Sequence, residues 1–180
     1  MMNKRRNFIF FSIVWAIGLV SSLSKGQVAG RVFPEAIGLD LVVVLMAYTY
    51  LRSGATHAGI FSFVQGLCLD IYSGGFKGLF VFLYLSAVGV ISLSSRFVHL
   101  NNPRGQILIV GMAWITKEVL FFVLLFALDS GVVFESMAPW PLVVAFLGTT
   151  FSAPIVFYLL ERLRLSLKGT GHKEGLLQGV

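Results

Sequence analysis

Apolar residues gather in six stretches separated by short polar breaks, at approximately 8–24, 36–51, 55–72, 78–98, 106–128 and 139–160. A helix needs about 17–25 such residues to cross a hydrocarbon core of ~30 Å, so the pattern predicts six membrane-spanning helices. Phe33 and Pro34 open the second stretch, in keeping with the tolerance of proline in a first helical turn. The gaps around 25–35, 99–105 and 129–138 are too brief for a soluble domain. Residues 1–165 therefore read as one all-α bundle of six transmembrane helices. Residues 166–180, with Gly169, Gly171 and Gly175, read as a short flexible tail.

Composition sharpens this reading. Of 180 residues, 57% are hydrophobic and only 12% charged. That is about half the charge of a soluble domain, too little polar surface to meet water. The 19 glycines carry no collagen-like period, and the apolar content excludes a disordered chain. A net charge of +6 would suit a nucleic-acid binder, but the basic residues lie singly between apolar runs and share no face, so no nucleic acid is expected. They are distributed by side instead. The amino terminus (Lys4, Arg5, Arg6), the 52–54 turn (Arg52), the 96–105 loop (Arg96, Arg104) and the tail (Arg162, Arg164, Lys168, Lys173) hold ten, against three in the alternate loops, Lys25, Arg31 and Lys77. Basic loops stay inside, so both termini are placed in the cytoplasm of a multi-pass membrane protein, with Asp129 and Glu135 outside. Lys4 to Ser24 also resembles a secretory signal peptide, with Ser21, Ser22 and Ser24 at its end; its cleavage would leave five crossings, and retention as the first span is the preferred reading.

A charge near the centre of a bilayer costs at least ~2.5 kcal/mol on insertion scales, so each one inside a span demands a partner or a role. Asp40, Asp70, Lys117 and Glu118 are the residues concerned. Lys117 and Glu118 fall close to mid-membrane, and because consecutive helical residues point ~100° apart they are expected to pair poorly with each other. Lys117, with its long stem, is expected to reach Asp40 or Asp70, fixing helix register and leaving Glu118 protonated or hydrogen-bonded. The functional alternative has Glu118 or an outer aspartate touching a partner's transmembrane helix, and a proton or ion pathway is the third reading.

The third stretch sets Ala55, Gly59, Ser62, Gly66 and Asp70 at spacings of four, three, four and four, on one small, polar helical face. Smooth stripes of this kind mark close helix contact in lipid; internal packing is preferred here over a face reserved for another protein. After Asp70 the run Ser73-Gly74-Gly75-Phe76-Lys77-Gly78 predicts a tight turn, in which Asp70 and Ser73 cap exposed backbone groups. Pro154 should kink the last helix, with Thr149, Thr150 and Ser152 satisfying the freed backbone.

Reactive constellations are missing from the pattern. Cys68 stands alone and reads as a packing residue, the three histidines are too far apart for zinc, and no nucleophile–base set or phosphate loop presents itself, so neither cofactor nor catalysis is expected.

Gly59, Gly66-x3-Asp70-x2-Ser73-Gly74 and Gly78 together resemble the rod shape-determining protein MreD family, small polytopic membrane proteins of bacterial cell elongation. Phe33-Pro34 before the second helix, Arg52 in the following turn and the polar residues ahead of Pro154 are similar to that family as well, and length and orientation agree over nearly the whole chain. The Lys117-Glu118 pair maps onto no family motif, so its reading rests on burial alone. The resemblance implies a non-enzymatic scaffold that binds the bitopic protein MreC and, through it, the synthase pair of RodA and its penicillin-binding protein, with the MreB filament on the cytoplasmic side. It also implies a fold similar to the substrate-binding subunits of energy-coupling-factor vitamin transporters, the rival class. That rival needs a small-residue patch on the first helix, where Ser12 and Ala16 lie.

Overall fold

The computed structural model describes residues 4–27, 39–73, 78–98, 102–127 and 139–177. They form five helices and no strand: α1 (Lys4–Gln27), α2 (Leu41–Ser73), α3 (Leu79–Ser94), α4 (Pro103–Ala127) and α5 (Pro139–Leu177). The described residues of the six apolar stretches fall mainly in these helices, the second and third sharing α2. Gly54 breaks α2 with φ 84° and ψ 178°, a left-handed backbone that an L side chain rarely adopts, and so divides it into limbs 41–53 and 55–73. The limbs run in opposite directions. Along limb 41–53, Tyr50 meets Ser92 and Asp40 lies near Tyr84, which aligns that limb with α3. The other limb ends where α3 begins, with Asp70 on the amide of Phe80. The chain therefore reverses at the predicted 52–54 turn.

Limb 41–53 is the centre of the molecule. Val42, Val43, Val44, Leu45, Met46, Ala47 and Tyr48 are all buried in succession, as expected of a helix that is apolar on every side and enclosed on every side. α1, α3, α4 and α5 surround it, and Phe10, Phe61, Ile91, Ile109 and Phe157 close the core. The surrounding helices turn large apolar side chains outward as well, among them Ile60, Phe82, Leu108, Met112, Phe151 and Ile155.

The expectation of six membrane-length spans is not met. Among the described residues, two helical segments, Pro103–Leu124 and Leu142–Ser166, are long and apolar enough to cross a membrane, and most of their residues are not buried; Phe10–Leu23 and Leu79–Ser94 are apolar but shorter. The limbs of α2 fall short for two reasons: Gly54 ends limb 41–53 before it reaches membrane length, and His57, Gln65 and Asp70 interrupt the apolar run of limb 55–73. α5 continues as helix to Leu177, into the stretch the sequence reads as a tail.

Candidate functional site

Limb 41–53 begins at Asp40, whose carbonyl accepts the amides of Val43 at 3.1 Å and Val44 at 3.5 Å. A carboxylate is favoured at this helix end by the orphan amides and the dipole. Asp40 is only 1% exposed, and two other helices hold it there. Its amide donates to Thr149 Oγ1 of α5 at 2.9 Å, and its Oδ2 accepts Lys117 Nζ of α4 at 2.5 Å. Lys117 thus selects Asp40 of the two aspartates open to it. Nζ also lies 2.8 Å from Glu118 Oε1 and 5.9 Å from the centroid of the Trp114 ring.

The pairing of Lys117 with Glu118 corrects the expectation that neighbours on a helix pair poorly. The angular argument holds for the Cα–Cβ bonds, but four methylenes let the ammonium swing back beside the carboxylate while it holds Asp40. Two carboxylates around one ammonium leave a formal charge of −1. Tyr84, also buried, lies within electrostatic reach of Asp40 and Glu118.

Asp70 serves a different end. Its Oδ1 accepts the amide of Phe80 at 2.9 Å and its Oδ2 that of Val81 at 3.2 Å. The carboxylate of one helix therefore caps the first turn of the next, across a chain reversal in which Gly78 takes φ 92°. Capping by Asp70 was anticipated, and its target proves to be α3. Gly66 marks where these helices touch: a Cβ built there would stand 2.6 Å from Val81 Cα and 2.9 Å from Phe80 O.

The rest of the stripe behaves unevenly. Ser62 is buried but donates to Ala58 O of its own helix at 2.8 Å, Gly59 faces open space, and Ala55 is exposed. Ser73 closes α2. Gly74, Gly75, Lys77, Phe33, Pro34, Asp129, Glu135 and His99 lie outside the described residues. Pro154 lies inside α5, and Ser152 Oγ donates to Thr149 O at 2.8 Å nearby, while the buried hydroxyl of Thr150 has no hydrogen-bond partner.

Other polar contacts escaped the sequence reading. Gln65, fully buried, accepts Ser22 Oγ at 2.9 Å and reaches Trp15 O at 3.5 Å, joining α1 to α2. At the end of the bundle away from Asp40, Arg52 Nη2 pairs with Glu161 Oε2 at 2.6 Å. Tyr50 accepts Ser95 Oγ at 2.9 Å there. Gln65 carried one legible signal, an amide in an apolar run. Tyr50, Ser95 and Glu161 read as ordinary residues of helix ends. Among the described residues no cluster of metal-ligating side chains is present. No protein-family model, curated protein or solved structure matches this chain.

Proposed function

We propose that the chain is a multi-pass protein of the bacterial inner membrane, acting without chemistry of its own as a scaffold of the cell-elongation machinery. In this reading it is similar to the MreD family: it binds MreC and, through it, the RodA and penicillin-binding protein pair, with MreB at the cytoplasmic face. The observation that carries the reading is the inversion of polarity across the molecule. Asp40, Lys117 and Glu118 pair with one another, Gln65 bonds Ser22 and Asp70 bonds backbone amides inside, while apolar side chains such as Ile60, Leu108 and Phe151 face outward. A surface of this kind meets lipid and other helices, so the contacts available to it are lateral.

An open groove along α1, lined by Phe11, Ser12, Trp15, Ala16 and Leu19, favours the second reading, a vitamin-binding subunit of an energy-coupling-factor transporter, because that class needs small residues at this place. Purification from membranes in mild detergent, with mass spectrometry of what accompanies the chain, separates the two. MreC is the expected companion; a bound vitamin or a coupling subunit in its place overturns the scaffold reading.

A further inference from the structure

At the end of the bundle away from Asp40, limb 41–53, the first turn of α4 and the middle of α5 leave an open cleft of about 250 Å³. Tyr48, Arg52, Pro103, Gln106, Pro154 and Glu161 are among the residues that line it. Glu161 is held from two sides, by Arg52 Nη2 at 2.6 Å on one oxygen and by Arg164 Nη1 at 3.7 Å on the other. Tyr48 also donates to it, at 3.4 Å. One carboxylate between two guanidinium groups leaves a formal charge of +1. Each guanidinium has five N–H donors in a fork that suits phosphate as well as carboxylate, so the pair retains donors for a second anion. The positive end of the α4 dipole adds to this, since α4 starts at Pro103 in the wall of the same cleft.

The cleft does not end in polar groups. Tyr158, in its lining, begins a row of outward-facing apolar residues on α5, continued by Ile155, Phe151 and Leu147 at helical spacings of three, four and four. A cationic notch that opens onto an apolar stripe matches an amphiphile with an anionic head. The volume is below the ~300–1,000 Å³ of ordinary small-molecule pockets, which suits a headgroup whose chains lie outside.

We infer that this cleft binds the phosphate of an anionic phospholipid, held by Arg52 in its lining, with Arg164, paired to Glu161 outside the lining, adding positive charge, and with an acyl chain laid along Tyr158, Ile155 and Phe151. Glu161 keeps the two guanidinium groups in place between ligands. The inference rests on the membrane reading given above.

The test is thermal unfolding of the full-length chain in detergent, titrated separately with phosphatidylglycerol, phosphatidylcholine and inorganic phosphate. Phosphatidylglycerol is expected to raise the melting temperature saturably, beyond the effect of the other two. Arg52→Gln should weaken its apparent affinity about tenfold, the scale of one charge-assisted contact. Because that variant leaves Glu161 without its main partner, the double variant Arg52→Gln/Glu161→Gln, which removes the pair together, provides the control for folding and should show the same loss. Glu161→Gln alone should bind phosphatidylglycerol at least as well as the unaltered chain. Equal shifts from the two lipids, or an undiminished response in the double variant, overturn the assignment. A full response to inorganic phosphate overturns the lipid as its source. Recovery of the chain in the soluble fraction without detergent overturns the membrane reading beneath it, whereas a membrane-bound chain without lipid preference overturns the cleft alone.

Discussion

Gly59 and Gly66 stand on the same helical face, and sequence spacing treats them alike, yet their surroundings differ completely. A methyl group at Gly66 would collide with backbone atoms, Val81 N at 2.8 Å among them, whereas nothing lies within 4 Å of one at Gly59. Backbone cannot rotate away as a side-chain tip can, so overpacking at Gly66 should cost at least the ~1–3 kcal/mol typical of a crowded core. Alanine at Gly59 instead gains helix propensity of up to ~1 kcal/mol. Melting in detergent should therefore fall sharply for Gly66→Leu and stay level or rise for Gly59→Ala. Cys68→Ala and His57→Ala should change little, since Cys68 is only part-buried and His57 is exposed, its Nδ1 within 2.9 Å of Ser53 O. A Gly66→Leu chain that melts like the unaltered one would contradict the close approach. The sequence displays which residues share a face, but not how near the next helix comes, and that distance separates these two glycines.

Between elements, the contact most exposed to test is the cap that Asp70 places on α3. Loss of a capping side chain costs ~0.5–2 kcal/mol, and the charge at a helix start contributes a further ~0.3–1 kcal/mol. Asp70→Ala should lose both parts, whereas Asp70→Asn loses the charge and one of the two hydrogen bonds because an amide offers a single acceptor oxygen, so melting temperatures should fall in the order unaltered, Asn, Ala. Equal loss in both variants would assign the effect to the charge and not to the hydrogen bonds to Phe80 and Val81. At this scale much was legible: the described part of each apolar stretch falls mainly in a helix, Arg52 marks the reversal completed at Gly54, and the Gly-rich run after Asp70 falls between two helices. The central position of limb 41–53 was not. In the membrane reading proposed above, lipid and protein interior are both apolar, so a helix facing one or the other carries similar residues and the amphipathic contrast that orients helices in water is weak. Gln65 shows the same limit, because its partners Ser22 and Trp15 lie on another helix and leave no local pattern.

Across the whole molecule, Asp40, Lys117 and Glu118 tie the central limb to α4, and the bond from the Asp40 amide to Thr149 adds α5, so neutralising one member perturbs a junction of three helices. Formal charge orders the outcomes. Removal of either carboxylate leaves one ammonium facing one carboxylate, a neutral pair. Removal of the ammonium leaves two carboxylates, one of them 1% exposed, with no compensating cation in the cluster. Breaking a buried pair in this way costs ~3–5 kcal/mol, while replacing both partners together is often nearly neutral. Lys117→Met should therefore be the most damaging single change, Asp40→Asn milder, and Glu118→Gln the mildest because that side chain is 20% exposed. Adding Asp40→Asn to Lys117→Met should restore much of the lost stability, which a purely steric role for the lysine would not allow. Under the scaffold proposal, retention of MreC measured beside melting temperature divides structure from recognition. Should Glu118→Gln keep the stability of the unaltered chain but lose MreC, the residual negative charge of the cluster meets the partner helix. If stability and MreC retention fall in parallel through all three variants, the cluster acts only by holding the bundle in register.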